Sequence, residues 1–144
     1  MNPARNERLM GQLSELVKLQ RYKIHERLVN HPELYPGQPP LLFQLEREDG
    51  QTQKHLAEQL RRTPATVTVM LKRMETSGYV RREPDPNDQR SLRVYLTELG
   101  RTALHDLREV FQELEEQAQK GFTPEESQMM SVLAQRMVQN LRDT

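Results

Sequence analysis

Residues 52–101 read TQKHLAEQLRRTPATVTVMLKRMETSGYVRREPDPNDQRSLRVYLTELGR, and the order of start, stop and turn signals in this stretch decides the fold. Thr52 stands just before a run in which Leu56, Ala57 and Leu60 share one helical face, so its hydroxyl is placed to cap the unpaired amides of a first short helix. Thr63 and Pro64 open a second helix: a capping hydroxyl, then proline at the first helical position, where the absent amide costs nothing. Only Arg61 and Arg62 separate the two helices. So short a connection forces a sharp angle between them, the helix-turn-helix arrangement. From Pro64 onward Val67, Met70, Leu71 and Met74 recur at three- and four-residue spacing, which predicts one buried stripe. The opposite side carries Ala65, Thr66, Thr68, Val69, Lys72 and Arg73. These small, hydroxylated or basic groups suit close approach to base edges and phosphates. Gly78 then supplies the left-handed conformation that stops a helix.

Beyond Gly78 the period changes. Tyr79 to Glu83 begins with strand formers, and Leu92 to Leu96 alternates apolar and polar, so the pattern predicts two antiparallel strands. Pro84 to Ser91, rich in Pro, Asn and Asp, reads as the turn between them, and its prolines keep the exposed hairpin from recruiting another strand. Arg90, near the tip, is placed to reach a phosphate or a narrow minor groove. An ion pair with Asp88 or Asp85 that shapes the hairpin is its competing role, and the two are compatible. Arg81, Arg82 and Arg93 suit a solvated strand face as well as phosphate contact. A helix-turn-helix followed by a hairpin is a winged helix.

The run PATVTVMLKRMETSGYVRREPDPNDQRSLRVYLTELGR resembles the MarR family of bacterial transcription regulators, whose wing carries a D-x-x-D-x-R-like turn followed by L-T-x-x-G. Those positions are Asp85, Asp88 and Arg90, then Leu96, Thr97 and Gly100. The resemblance is strong over roughly fifty residues and looser over the flanking helices. It implies a ligand-responsive repressor, a homodimer that binds a near-palindromic double-stranded DNA operator with one recognition helix per subunit in a major groove and each wing tip beside a minor groove. By that resemblance Thr63, Ala65, Thr66, Thr68, Val69, Lys72 and Arg73 face DNA along the helix, while Asn87 and Arg90 serve the wing. Val69 stands where many relatives carry a polar residue, so base reading is expected to include an apolar contact with a thymine methyl. The same resemblance implies a small-molecule effector lodged where the first helix meets the winged helix, near Tyr22, His25, Tyr35 and Phe43.

The remainder of the chain reads as helix, which makes the expected fold class mainly α with a small β-hairpin wing. Leu9, Leu13, Leu16, Val17, Ile24 and Leu28 form a stripe, broken at Gln20, on a long first helix ending at Asn30 to Pro32. Residues 33–40, ELYPGQPP, read as an ordered non-helical linker, and a short helix begins at Leu41 and closes near Asp49 and Gly50. Leu104, Leu107, Phe111, Leu114 and Ala118 make a seam suited to a neighbouring helix. Thr123 to Glu126 is a capping box opening a last helix with Met130, Leu133, Met137 and Leu141 on one side. The expected organisation is one domain over 1–144. Residues 36–100 form the winged helix, with the helix-turn-helix at about 53–77 and the wing at about 79–97. Residues 1–31 and 101–144 form a dimerisation region.

Composition narrows the function classes. A hydrophobic fraction of 35% and a mean hydropathy of -0.87 leave a 144-residue monomer with a thin core, which burial shared with a second copy would relieve. The chain has no cysteine, so disulfides, thiolate metal sites and thiol-based sensing are excluded. No apolar run reaches the roughly 18 residues of a membrane span, and the amino terminus lacks a signal-peptide core, so a cytoplasmic protein is expected. His25, His31, His55 and His105 lack ligand spacing and read as structural or surface residues, with no metal and no cofactor expected. Glu113, Glu115 and Glu116 read as a charged helical face, and no nucleophile with its base or phosphate-cradling glycine loop argues for an enzyme. The net charge of zero conceals an asymmetry: residues 52–101 hold ten Lys or Arg against six Asp or Glu, and the rest eleven against fifteen. The basic excess lies where a polyanion would sit. The alternative function, a winged-helix module that binds protein without specific DNA contact, accords poorly with that basic, small-residue face.

Overall fold

The computed structural model describes residues 3–34 and 39–144. In chain order the elements are α1 (Pro3–Arg27), α2 (Pro39–Arg47), β1 (Gln51–Thr52), α3 (Gln53–Leu60), α4 (Pro64–Thr76), β2 (Val80–Asp85), β3 (Asp88–Leu96), α5 (Glu98–Ala118) and α6 (Pro124–Arg142). The fold is mainly helical with a small antiparallel sheet. Two compact units divide the chain, Met1–Phe111 and Gln112–Thr144.

The first unit is built around the apolar stripes of its short helices. Leu41, Leu42 and Leu45 of α2, Leu56 of α3, and Val67, Leu71 and Met74 of α4 are fully buried, together with Tyr79, Val94 and Leu107. Burial of each such leucine contributes about 1.5–3 kcal/mol. Met70, expected in the same stripe, is only half-buried. The hydroxyls of Thr52 and Thr63 cap α3 and α4 by accepting from the amides of His55 and Thr66, as the sequence predicts. Between them the chain turns on Arg61, whose φ of 52° is left-handed. Its own amide donates to Glu58 O, and that of Arg62 to Ala57 O, which closes the end of α3.

Four boundaries differ from expectation. Helix α1 ends at Arg27, and residues 28–34 continue as turns tied by His31 N to Leu28 O and Leu34 N to His31 O. Helix α2 begins at Pro39, ahead of Leu41, because a first turn needs no amides and tolerates two prolines; this shortens the linker read over 33–40. A two-residue strand, β1, pairs with β3 in the sheet order β1-β3-β2. The side chain of Gln51, the first residue of that strand, donates to the carbonyls of Gln44 and Glu48 and so caps the end of α2. Finally, the hairpin turn is far shorter than the eight residues read from Pro84 to Ser91. Strand pairing continues from Val80↔Leu96 to Asp85↔Asp88, with a register shift between Pro84 and Asp85. Proline is tolerated there because β2 is an edge strand.

The L-T-x-x-G motif proves to be a structural joint. Leu96 is core, the Thr97 hydroxyl donates to Gly78 O while accepting from the Gly100 amide, and Thr97 N donates to Tyr79 O at 3.1 Å. A Cβ at Gly100 would stand 2.2 Å from the Tyr79 carbonyl oxygen, so the first turn of α5 rests directly on backbone. Along α5 Ala103, Leu104, Leu107 and Val110 are buried, Phe111 and Leu114 half-buried and Ala118 exposed.

The first stripe is buried only at Ile24 of α1 and at Leu28 just past its end; Leu13 is half-buried, and Leu9, Leu16 and Val17 are exposed. In the second unit Thr123 caps α6 by accepting from Glu126 N at 3.1 Å. No residue of that helix is buried, and Met130, Leu133 and Leu141 stand 51%, 44% and 70% exposed.

Gly100→Ala is expected to destabilise the fold by about 2–3 kcal/mol, because the added methyl meets an immovable carbonyl. Equilibrium denaturation of the variant against wild type measures it.

Candidate nucleic-acid interface

Helix α4 presents two opposed faces. Val67, Leu71 and Met74 point into the core, while Ala65, Thr66, Val69, Lys72 and Arg73 are exposed on the other side, with Thr63 exposed at its cap. Val69 is 53% exposed, a β-branched apolar group standing among polar neighbours. The first turn is ordered before any partner arrives: Thr63 Oγ1 accepts from Thr66 N at 3.2 Å and lies 2.8 Å from Thr66 Oγ1. Thr68 departs from the expected set. It is half-buried, and its hydroxyl donates back to Pro64 O at 2.9 Å, so that hydrogen is not offered outward.

Beneath this face a polar clamp ties α3, α4 and β2 together. Arg82 pairs with Glu75 at 3.1 Å through its guanidinium, donates to Gln53 Oε1 at 3.1 Å, and its backbone amide donates to the second Glu75 oxygen. The Arg82 guanidinium holds the Glu75 carboxyl below the usual carboxylate range. Arg81 pairs with Glu83 and lies over the Tyr95 ring at 4.5 Å. Arg93 donates to Gly50 O at 2.8 Å and pairs with Asp85 at 3.3 Å. All three of these strand arginines therefore have partners within the chain, a role that neither of the two expectations, a solvated strand face or a phosphate contact, had named. Single-sequence reading had no signal for the clamp, because nothing in local spacing links Gln53, Glu75 and Arg82.

The wing tip is organised by its two aspartates. Asp85 Oδ1 accepts from Asn87 N at 3.1 Å, and Asp88 Oδ1 accepts from Arg90 N at 3.0 Å. With Asp85 paired to Arg93, neither aspartate forms an ion pair with the Arg90 guanidinium among the described residues. Arg90 and Asn87 are exposed at the tip. The D-x-x-D-x-R turn thus fixes the backbone on which Arg90 is displayed.

A family model described as MarR family matches residues 34–92. The transcriptional regulator HosA of Escherichia coli O111:H- is 32% identical over 107 residues, which cover 74% of this chain and 79% of that protein. The chain belongs to the MarR family. As a MarR-family protein it is a transcriptional regulator and not an enzyme. The HTH-type transcriptional regulator TtmR of Methylorubrum extorquens is 37% identical over 79 residues, 55% of this chain, and the match takes in 40% of that protein's length. Among solved structures, a MarR transcriptional regulator from Methanosarcina mazei Go1 superposes with a TM-score of 0.87 at 27% identity, covering 96% of this chain and 99% of that one. A mutant of S. aureus MepR, bound to an oligodeoxyribonucleotide, superposes with a TM-score of 0.63 at 25% identity, covering 94% and 97%.

Of the residues expected around an effector, Tyr22 and His25 are exposed on α1, and Phe43 is half-buried in edge contact with Phe111 at 5.5 Å. Tyr35 lies outside the described residues. An open hollow beside the end of α4 is lined by Glu33, Lys72, Arg73, Thr76 and Ser77. His105, Asp106 and Glu109 bring ligand-type atoms close together on α5, but His105 is already paired with Glu109 and Asp106 with His31. Among the described residues no helix is long and apolar enough to cross a membrane.

The Asn87 amide, and after it the Arg93 guanidinium, hold the Asp85 carboxyl below the usual carboxylate range. A depressed value means that the ionised group stabilises the fold. That contribution is complete above the unfolded value of about 3.9 and is lost as pH falls toward the folded one. Denaturation at a series of pH values should show Asp85→Asn less stable than wild type at neutral pH, with the difference closing in acid.

Proposed function

We propose that this MarR-family chain acts as a ligand-responsive repressor in the cytoplasm, binding a near-palindromic operator as a homodimer. The observation that carries this reading is the exposed face of α4, with Ala65, Thr66, Val69, Lys72 and Arg73 set directly opposite the buried stripe. On this reading α4 lies in a major groove. Lys72 and Arg73 supply cations to phosphates or guanine edges, and the Val69 methyls meet a thymine methyl. Arg90, held out by the Asp88 turn, enters the flanking minor groove, with Asn87 against the backbone beside it. The oligodeoxyribonucleotide bound to the similar MepR mutant supports duplex DNA as the partner.

The dimer is supported by apolar surface that the described chain leaves open. Leu9, Leu16 and Val17 of α1, and Met130, Leu133 and Leu141 of α6, are each at least 44% exposed. Pairing two chains through these faces would set two recognition helices about 34–36 Å apart, one helical turn of DNA. An effector in the region of Tyr22, His25, Tyr35 and Phe43 would act by altering that spacing, and so shift the population away from the binding-competent form.

Two measurements test this. In titrations on the DNA upstream of the protein's own gene, Arg73→Ala and Arg90→Ala should each weaken binding about tenfold and reduce the salt slope by about one. Unchanged affinity and slope in both variants would remove this surface from consideration. Size-exclusion chromatography with light scattering should return twice the chain mass at micromolar concentration; a monomer there contradicts the dimer.

A further inference from the structure

Glu33, Tyr79, His31 and Asp106 form one hydrogen-bonded line. The Tyr79 hydroxyl lies 2.9 Å from Glu33 Oε1 and 3.2 Å from His31 Nδ1, while His31 Nε2 lies 2.7 Å from Asp106 Oδ2. His31 is 3% exposed and Tyr79 0%, and their rings meet edge to face at 5.6 Å. The line joins the turns after α1, the residue that leads from α4 into β2, and the middle of α5.

Each of the three contacts needs one hydrogen, and the ordinary protonation states provide only two. Ionised carboxylates bring none, a neutral imidazole brings one and the phenol brings one. If the Tyr79 hydroxyl donates to Glu33, its oxygen can only accept from His31 Nδ1, and the ring then needs a hydrogen on each nitrogen. If the ring carries a hydrogen on Nε2 alone, Tyr79 must donate to Nδ1 and the Glu33 contact faces lone pair against lone pair. Tyr79 does not resolve the shortage by ionising, since burial and then the Glu33 carboxylate push its phenol far above the usual range.

We propose that the folded protein takes up one proton on this line near neutral pH, held on His31, so that Nδ1–H donates to Tyr79 and Nε2–H to Asp106. Imidazole is the member of the line whose ordinary range lies nearest neutrality, and it sits between two carboxylates that favour its cation. Uptake reduces the line from two negative charges to one. The other charged groups nearby are His105 and Glu109 on α5, paired with each other at 3.3 Å, and Lys72 and Arg73 of α4, which share the hollow with Glu33. The lysine and arginine favour an ionised Glu33 and so leave the third hydrogen to the ring.

The test reads the histidine ring nitrogens directly, by 15N NMR of the full-length protein from about pH 5 to about pH 9, with the His31 signals identified by their loss in His31→Gln. Glu33→Gln supplies the missing hydrogen from a group that does not titrate, since its amide can donate to the Tyr79 oxygen. Tyr79→Phe removes two of the three contacts, and the hydrogen of a neutral ring then suffices for the third. In wild type both His31 nitrogens should carry hydrogen at about pH 6.5. In each variant the titration midpoint should fall by about one pH unit or more, a tenfold loss of proton affinity. Amide spectra establish that each variant is folded, and either one suffices. A wild-type ring with a single hydrogen throughout, or a folded variant with an unshifted midpoint, overturns the proposal.

Discussion

Helix α5 lies backbone against backbone on Tyr79, and that approach is possible only because residue 100 has no side chain. Tyr79 is both the exit from α4 and the entry to the wing, so a contact at its carbonyl governs two elements at once. The Thr97 hydroxyl on Gly78 O holds the end of α4, while Thr97 N on Tyr79 O continues the register that begins at Val80↔Leu96. The heading of α5, the direction of α4 and the pairing of the wing are therefore consequences of one joint.

On that joint α4 is tied to its neighbours through Glu75, on the side away from its first turn. Arg82 carries much of this load by joining Glu75 and Gln53, which lie on two different helices. The arrangement also explains how a chain with zero net charge keeps a basic surface. Arg81, Arg82 and Arg93 each have an acidic partner within the chain, and Lys72, Arg73 and Arg90 are among the basic residues exposed on α4 and at the wing tip.

Much of this was legible in the sequence, and the reason differs from element to element. Thr52, Thr63 and Thr123 announce their helices because a capping hydroxyl acts within three residues of itself, a range that spacing alone reveals. The opposed faces of α4 follow from helical period. Strand β1 was invisible because two residues carry no alternation, and the true length of the hairpin was hidden because Pro84 looks like loop chemistry in an edge strand too. The half-burial of Thr68 follows from the reach of Gln53 across from α3, and the burial of His31 from the arrival of Asp106, 75 residues further along the chain. Contacts of that kind leave no local pattern. The same holds for Phe43 of α2, whose ring meets Phe111 of α5, 68 positions further on.

The short wing also bears on the thermodynamics of association. Fixing the backbone of one residue costs about 1–2 kcal/mol of conformational entropy. An eight-residue loop ordered only on contact would lose that freedom at the moment of binding. Here pairing reaches Asp85↔Asp88, and the two aspartates hold the amides of Asn87 and Arg90, so most of that freedom is already lost on folding. A partner meets a hairpin whose backbone is in place, and the entropy still to be given up at the tip is that of a few side chains.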